Sequence, residues 1–203
     1  MRNEIDSPET REALEFMAKG IEDGAVPKAV TTYEEESSRR AFEAGNATFM
    51  RNWPYAYALG KESNIANDFA VTKFPGFAGN EGAGVVGGYN LGISAYTDNP
   101  DGSLAFAEFL VTPPVQKQMF IKATLPATAT SVYSDPEVKR EIPFTTELLK
   151  AVEQAQARPV SPVYTEISQA IYDNVFEVLN GKQSADQATS KMNSEIEDAL
   201  ARF

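Results

Sequence analysis

Apolar residues at Ala13, Leu14, Met17, Ala18 and Ile21 recur at helical spacing. Ser7-Pro8 ahead of them predicts an N-cap followed by proline at the first helical position, and Asp23-Gly24 predicts the break. Thr32 and Glu35 stand at capping-box spacing and predict a second helix running to about Glu43, closed by a Gly45-Asn46 turn. Residues 47–50 read as a short buried strand. Trp53-Pro54-Tyr55-Ala56-Tyr57-Ala58-Leu59 reads as a helix start with Pro54 in its first turn. Residues 69–72 read as a strand ended by Phe74-Pro75-Gly76, 76–84 as a glycine-rich loop, and 85–94 as a glycine-rich strand that bends or is closely approached. Leu104, Ala105, Ala107, Phe109 and Leu110 predict a helix stopped by Pro113-Pro114. A short helix through Met119 and Ile121 follows, then irregular chain over 125–130. Helices are predicted at about 145–157, 165–180 and 184–202. The last opens on a Ser184/Gln187 capping box and carries the stripe Ala188, Met192, Ile196 and Leu200, which must pack on something.

That order of elements, with no internal repeat, low-complexity segment or linker, is helix-rich with three or four short strands. It reads as α/β or α+β, yet is poor in strands for a complete α/β domain. The 203 residues suffice for one sizeable core or two small lobes. A net charge of −11 works against nucleic acid and anionic membranes as partners. The chain has no cysteine and no histidine, which rules out disulfides, zinc sites with those ligands, Ser-His-Asp triads and Cys-His dyads. No apolar run is long enough for a membrane-spanning helix. The first eight residues, Met1 to Pro8, have no apolar h-region. Either the protein is cytoplasmic or its true N-terminus lies upstream.

Glu34-Glu35-Glu36 is the most acidic run that invites a cation. Consecutive residues point around a helix and cannot converge on one ion, so the run reads as a solvated helix start favoured by the helix dipole. Gly87-Gly88-Tyr89-Asn90-Leu91-Gly92 matches neither phosphate-binding glycine pattern. No carboxylate pair is isolated by its context as glycosidase chemistry would need. No catalytic residue, cofactor or metal is therefore expected. The cluster Trp53, Tyr55 and Tyr57 remains, around the one tryptophan of the chain, beside Arg51-Asn52. Core packing is one reading of it. The other is a stacking platform for the apolar C–H face of a sugar, with polar neighbours bonding the hydroxyls.

Four segments bear on these readings together. They are the run from Arg40 to Tyr55, with Phe42, Gly45, Ala47, Met50 and Trp53; the strand from Phe69 to Gly76; Gly87-Gly88-Tyr89-Asn90-Leu91-Gly92-Ile93-Ser94 with the helix, Pro114 and Gln116 after it; and Arg158-Pro159-Val160-Ser161-Pro162-Val163-Tyr164 with Leu179-Asn180-Gly181-Lys182. In order and spacing they resemble the sugar-binding proteins of ABC importers, and among these the maltose/trehalose-type group. The resemblance covers nearly the whole chain and about the second half of the family's length.

What the resemblance implies is an α/β, two-lobed, periplasmic-binding-protein-like fold, helix-rich here, with the N-terminal half missing. Residues 1–87 are expected in the C-terminal lobe. Residues 88–138 are expected as a hinge crossing and excursion belonging to the N-terminal lobe, and 139–203 as the helical return. Trp53 corresponds to the family's sugar-stacking position, with Tyr55 beside it. Gly87, Gly88 and Tyr89 correspond to a cleft-wall strand where small residues admit a sugar to the backbone. Arg158 corresponds to a position that contacts sugar in some members, an ion pair being the alternative, and Tyr164 joins the set. The implied activity is not enzymatic. It is binding of an oligosaccharide outside the cytoplasm by hinge closure, and delivery to the membrane permease subunits of an ABC importer. The rival readings are a fragment of a carbohydrate-active enzyme and a structural domain without ligand. Self-association, or a shifted arrangement of residues 90–135, is a further expectation, with weak sugar binding at best, because strand edges and apolar faces near Leu91 would lack their covers.

Overall fold

The computed structural model describes residues 3–77 and 79–202. Among these the chain forms α1 (Pro8–Glu22), α2 (Glu35–Glu43), α3 (Tyr55–Lys61), α4 (Pro100–Leu110), α5 (Pro113–Ala123), α6 (Pro136–Glu141), α7 (Thr145–Gln154), α8 (Tyr164–Leu179) and α9 (Ala185–Leu200). Two short 3₁₀ turns lie at Lys28–Thr32 and Thr130–Ser134.

The helix starts follow local chemistry. The Ser7 hydroxyl accepts the Thr10 N–H at 3.2 Å and Pro8 opens α1 as expected. At α9 both halves of the capping box form, with Ser184 Oγ accepting from Gln187 N–H and Gln187 Oε1 accepting from Ser184 N–H. Thr32 behaves otherwise. It ends a 3₁₀ turn and donates its hydroxyl to Ala29 C=O at 2.9 Å, so the predicted capping box does not form and α2 begins at Glu35. Pro113 does not only stop α4; it also occupies the first turn of α5.

The chain divides into two units. The first comprises residues 1–34 and 159–203 and contains α1, α8 and α9. Helices α8 and α9 lie along one another, joined by a turn in which Gly181 takes φ 72°, and α1 packs on both. The predicted stripe is the seam: Ala188, Met192 and Ile196 are buried and Leu200 half-buried. Ala188 and Met192 meet Leu14 and Val178, while Ile196 meets Val163, Ile167 and Ala170. The two buried polar side chains there are satisfied, Thr189 by donating its hydroxyl to Asp186 C=O at 3.1 Å. Asn174, fully buried, donates to Ala170 C=O and to Glu195 Oε2, each at 2.8 Å, and accepts from Gln183 Nε2.

The second unit is residues 35–158, from α2 to α7. Its core is Phe120, Val132, Tyr133, Val138, Ile142 and Phe144, with Tyr57 packed against it. Tyr57 meets Phe144 edge-on, ring centroids 4.8 Å apart, and meets Phe69 on its other side at 5.6 Å. That contact ties α3 to the residue that caps α7.

The predicted strands are the main difference from expectation. Residues 47–50, 69–72 and 85–94 form no strand ladder among the described residues. One isolated parallel bridge pairs Val85 with Gln156. In it Val86 N–H donates to Gln156 C=O and Gln156 N–H to Gly84 C=O, both at 2.9 Å. A strand is stabilised by the chain beside it, and among the described residues none pairs with these segments beyond this bridge. Val86, Leu91 and Ile93 are exposed as a result.

Candidate functional site

Trp53 lies in the bend before α3. Its C=O accepts the Ala56 N–H, and Pro54, with φ −56°, starts the turn. The residue is half-buried rather than part of the core. Four neighbours surround the indole. Its Nε1–H donates to Glu35 Oε1 at 3.2 Å. The Arg51 guanidinium lies over one face, 5.5 Å from the ring centroid. The Gly87 backbone meets the far end of the ring: a Cβ added there would stand 2.7 Å from Cη2 and 3.2 Å from Cζ3. Arg158 Nη2 would stand 3.7 Å from that same Cβ. Gly87 is thus the position where only a glycine allows the backbone to rest on the indole. The clip between 84–86 and Gln156 carries Arg158 to the same place.

A second row of contacts fixes the loop. Asn52 Oδ1 accepts the Trp53 N–H at 2.8 Å while its Nδ2 donates to Glu35 C=O at 2.9 Å. The Asn52 amide is therefore engaged with backbone and is not a free partner for sugar hydroxyls. Tyr55 donates its hydroxyl to Glu36 Oε1 at 2.9 Å, and Glu36 in turn pairs with Arg39, which also holds Glu43. Desolvation and that hydrogen bond push the Tyr55 phenol up to about 12. The Glu35 carboxyl is held below its ordinary range, first by its own backbone N–H and then by the indole N–H. It is charged at neutral pH and accepts only.

Trp53 also lines a cavity of about 460 Å³, walled by apolar side chains such as Phe42, Met50, Phe69, Val71 and Leu148. That volume lies within the range of small-ligand sites.

Of the residues singled out from the sequence, Trp53, Gly87 and Arg158 come together, with Tyr55 two residues after Trp53. Gly88 follows Gly87 in the chain, and a side chain there would meet open space. Tyr89 is fully exposed. Tyr164 belongs to the first unit, where it is half-buried as the first residue of α8. Glu35, Glu36 and Asn52 were read otherwise from the sequence. Glu35 and Trp53 stand 18 positions apart, a separation that no spacing rule pairs. Among the described residues no group of three or more carboxylates could hold a metal ion, and no helix is long and apolar enough to cross a membrane.

The chain belongs to the bacterial extracellular solute-binding protein family, whose model matches residues 1–117. It is 33% identical over 197 residues to a probable ABC transporter-binding protein of Deinococcus radiodurans, covering 95% of this chain and 47% of that one. Among solved structures it is similar to maltose-bound T. maritima MalE3, with 37% identity and a TM-score of 0.89, over 96% of this chain and 51% of that one. It is also similar to the GacH receptor of Streptomyces glaucescens, solved unliganded and with acarbose. There the identity is 27% and the TM-score 0.73, over 81% of this chain and 43% of the receptor. The chain thus spans about half the length of the relatives it matches. The fold is periplasmic-binding-protein-like, and the family is one of extracellular solute-binding proteins rather than enzymes.

Proposed function

We propose that this chain contributes to binding an oligosaccharide outside the cytoplasm and to its delivery to the permease subunits of an ABC importer, with Trp53 as the stacking surface. The observation that carries this reading is the indole itself. It is half-buried, held at both ends by Glu35 and Gly87, and set beside the cavity. A tryptophan serving only as core would be enclosed, and this one is not. The sugar-bound relatives, one with maltose and one with acarbose, favour an α-linked glucose-type ligand. Arg158 supplies a donor fork for paired hydroxyls, and Tyr55 flanks the platform. Gly88 and Tyr89 extend the wall that begins at Gly87. Residues 1–87 and 139–203 would form one lobe and 88–138 an excursion into the other, with closure of the two lobes around the sugar as the mechanism.

The test is calorimetric titration of the chain with maltose, maltotriose and acarbose, carried to millimolar sugar. Trp53→Ala is expected to weaken binding roughly tenfold to a hundredfold, as loss of an aromatic anchor does, with little change in melting temperature. Unchanged affinity with a collapse of about 3–5 kcal/mol in stability would make Trp53 a core residue. Turnover of the sugar in step with protein concentration would support the enzyme reading instead.

A further inference from the structure

We propose that Glu35 is a positioning residue for Trp53, fixing the indole in the orientation that receives the sugar. The inference rests on the binding role proposed above for Trp53. An indole has two free torsions, and both must be fixed for the ring plane to be fixed. Here the pyrrole corner is pinned by Nε1–H donating to Glu35 Oε1 at 3.2 Å. The opposite benzo corner rests on Gly87, and Arg51 covers one face. The backbone is tied to the same glutamate: Asn52 bridges the Trp53 N–H and the Glu35 C=O. Side chain and main chain of Trp53 therefore both refer to the first residue of α2. Its neighbour Glu36 accepts the Tyr55 hydroxyl at 2.9 Å. A ring already held in place does not lose its rotamer freedom when a ligand stacks on it, so part of the ordering cost of binding is removed in advance. Removing the hold is expected to weaken sugar binding about threefold to tenfold.

Trp53 is the only tryptophan, so a ¹H–¹⁵N spectrum of the chain contains one indole N–H resonance, which reports on this bond directly. In Glu35→Ala that resonance is expected to move towards the position of a water-exposed indole, and its hydrogen exchange to quicken. Glu35→Gln keeps a carbonyl acceptor at the same reach and is expected to restore most of both. Glu34→Ala, on the exposed neighbour, is expected to leave them unmoved. Maltotriose affinity by calorimetry should fall and recover in the same order. An indole resonance and exchange rate unchanged in Glu35→Ala overturn the proposal, as does a shifted resonance with undiminished maltotriose affinity. A wild-type chain that takes up no sugar defeats the binding role instead, while the resonance still decides whether Glu35 holds the indole.

Discussion

Gly87→Ala tests the contact at the far end of the Trp53 ring. The added Cβ would stand 2.7 Å from Cη2, so ring and backbone must part by roughly 0.7 Å to reach 3.4 Å, the near edge of ordinary contact. The indole cannot simply swing away, because its other end is bonded to Glu35 at 3.2 Å, close to the limit of a hydrogen bond. Overpacking a rigid site costs about 1–3 kcal/mol. Residues 85–90 are exposed and share in the movement, which places the cost near the low end, about 1 kcal/mol. That corresponds to roughly a fivefold loss of sugar affinity. No positive φ adds backbone strain at Gly87, so the loss of stability should stay near that same 1 kcal/mol. Gly92→Ala, where a Cβ meets nothing within 4 Å, is the matched control. The assay is emission of the single tryptophan with a maltotriose titration, on both variants and the wild type. Gly87→Ala with wild-type emission and wild-type affinity would refute the close approach as part of the site.

Met192 is 1% exposed at the centre of the three-helix unit, so Met192→Ala is expected to cost about 2–5 kcal/mol, read as a lowered urea midpoint. Lys117 Nζ lies 2.8 Å from Asp135 Oδ2 and 2.7 Å from Glu137 Oε2. Asp135 is held below its ordinary pKa mainly by Lys117, and Lys117 is raised mainly by Asp135. The Asp135 contribution is therefore present above about pH 4 and lost as pH falls through the depressed value, while that of Lys117 is present below about pH 10.5 and lost as pH rises through the raised one. Lys117→Met should flatten both edges of the stability-versus-pH curve, and an unaltered curve would count against the pairing. Phe106, Phe109, Leu91 and Tyr96 are exposed, and surfaces of that kind recruit partners. We propose self-association of this chain, seen as an average mass in light scattering that rises with concentration; a monomer at every concentration would contradict it.

The readable parts of the fold were those fixed by neighbours a few residues apart. Ser7-Pro8 and Ser184 with Gln187 close hydrogen bonds within one helical turn, and the stripe from Ala188 to Ile196 needs only an adjacent helix to bury it. Helix α6, six residues long, is too short for a periodic pattern to form; its one local signal is Asp135-Pro136, whose carboxylate accepts the N–H groups of Glu137 and Val138. The Thr32 and Glu35 spacing misled because the hydroxyl found a nearer acceptor at Ala29. The strand pattern over 85–94 misled for a different reason. A glycine-rich extended run is legible from its residues, while a ladder depends on a neighbour that a local pattern does not specify.

The glutamate run shows the same limit within the site. Three consecutive glutamates at the head of a helix point in directions about 100° apart, which is why they cannot gather on one cation. The same divergence lets them serve two different rings. Glu35 turns to the indole of Trp53, and Glu36 turns to the phenol of Tyr55 and the guanidinium of Arg39. Trp53 and Tyr55 are themselves two residues apart on the bend that leads into α3. The register between the two segments is what brings each acid to its ring, and that register is set by Phe42, Tyr57 and Phe69 packing between α2 and α3. No property of residues 34–36 alone distinguishes a solvated helix start from a clasp. The distinction lies in aromatic residues that follow them in sequence and are placed by the core of the second unit.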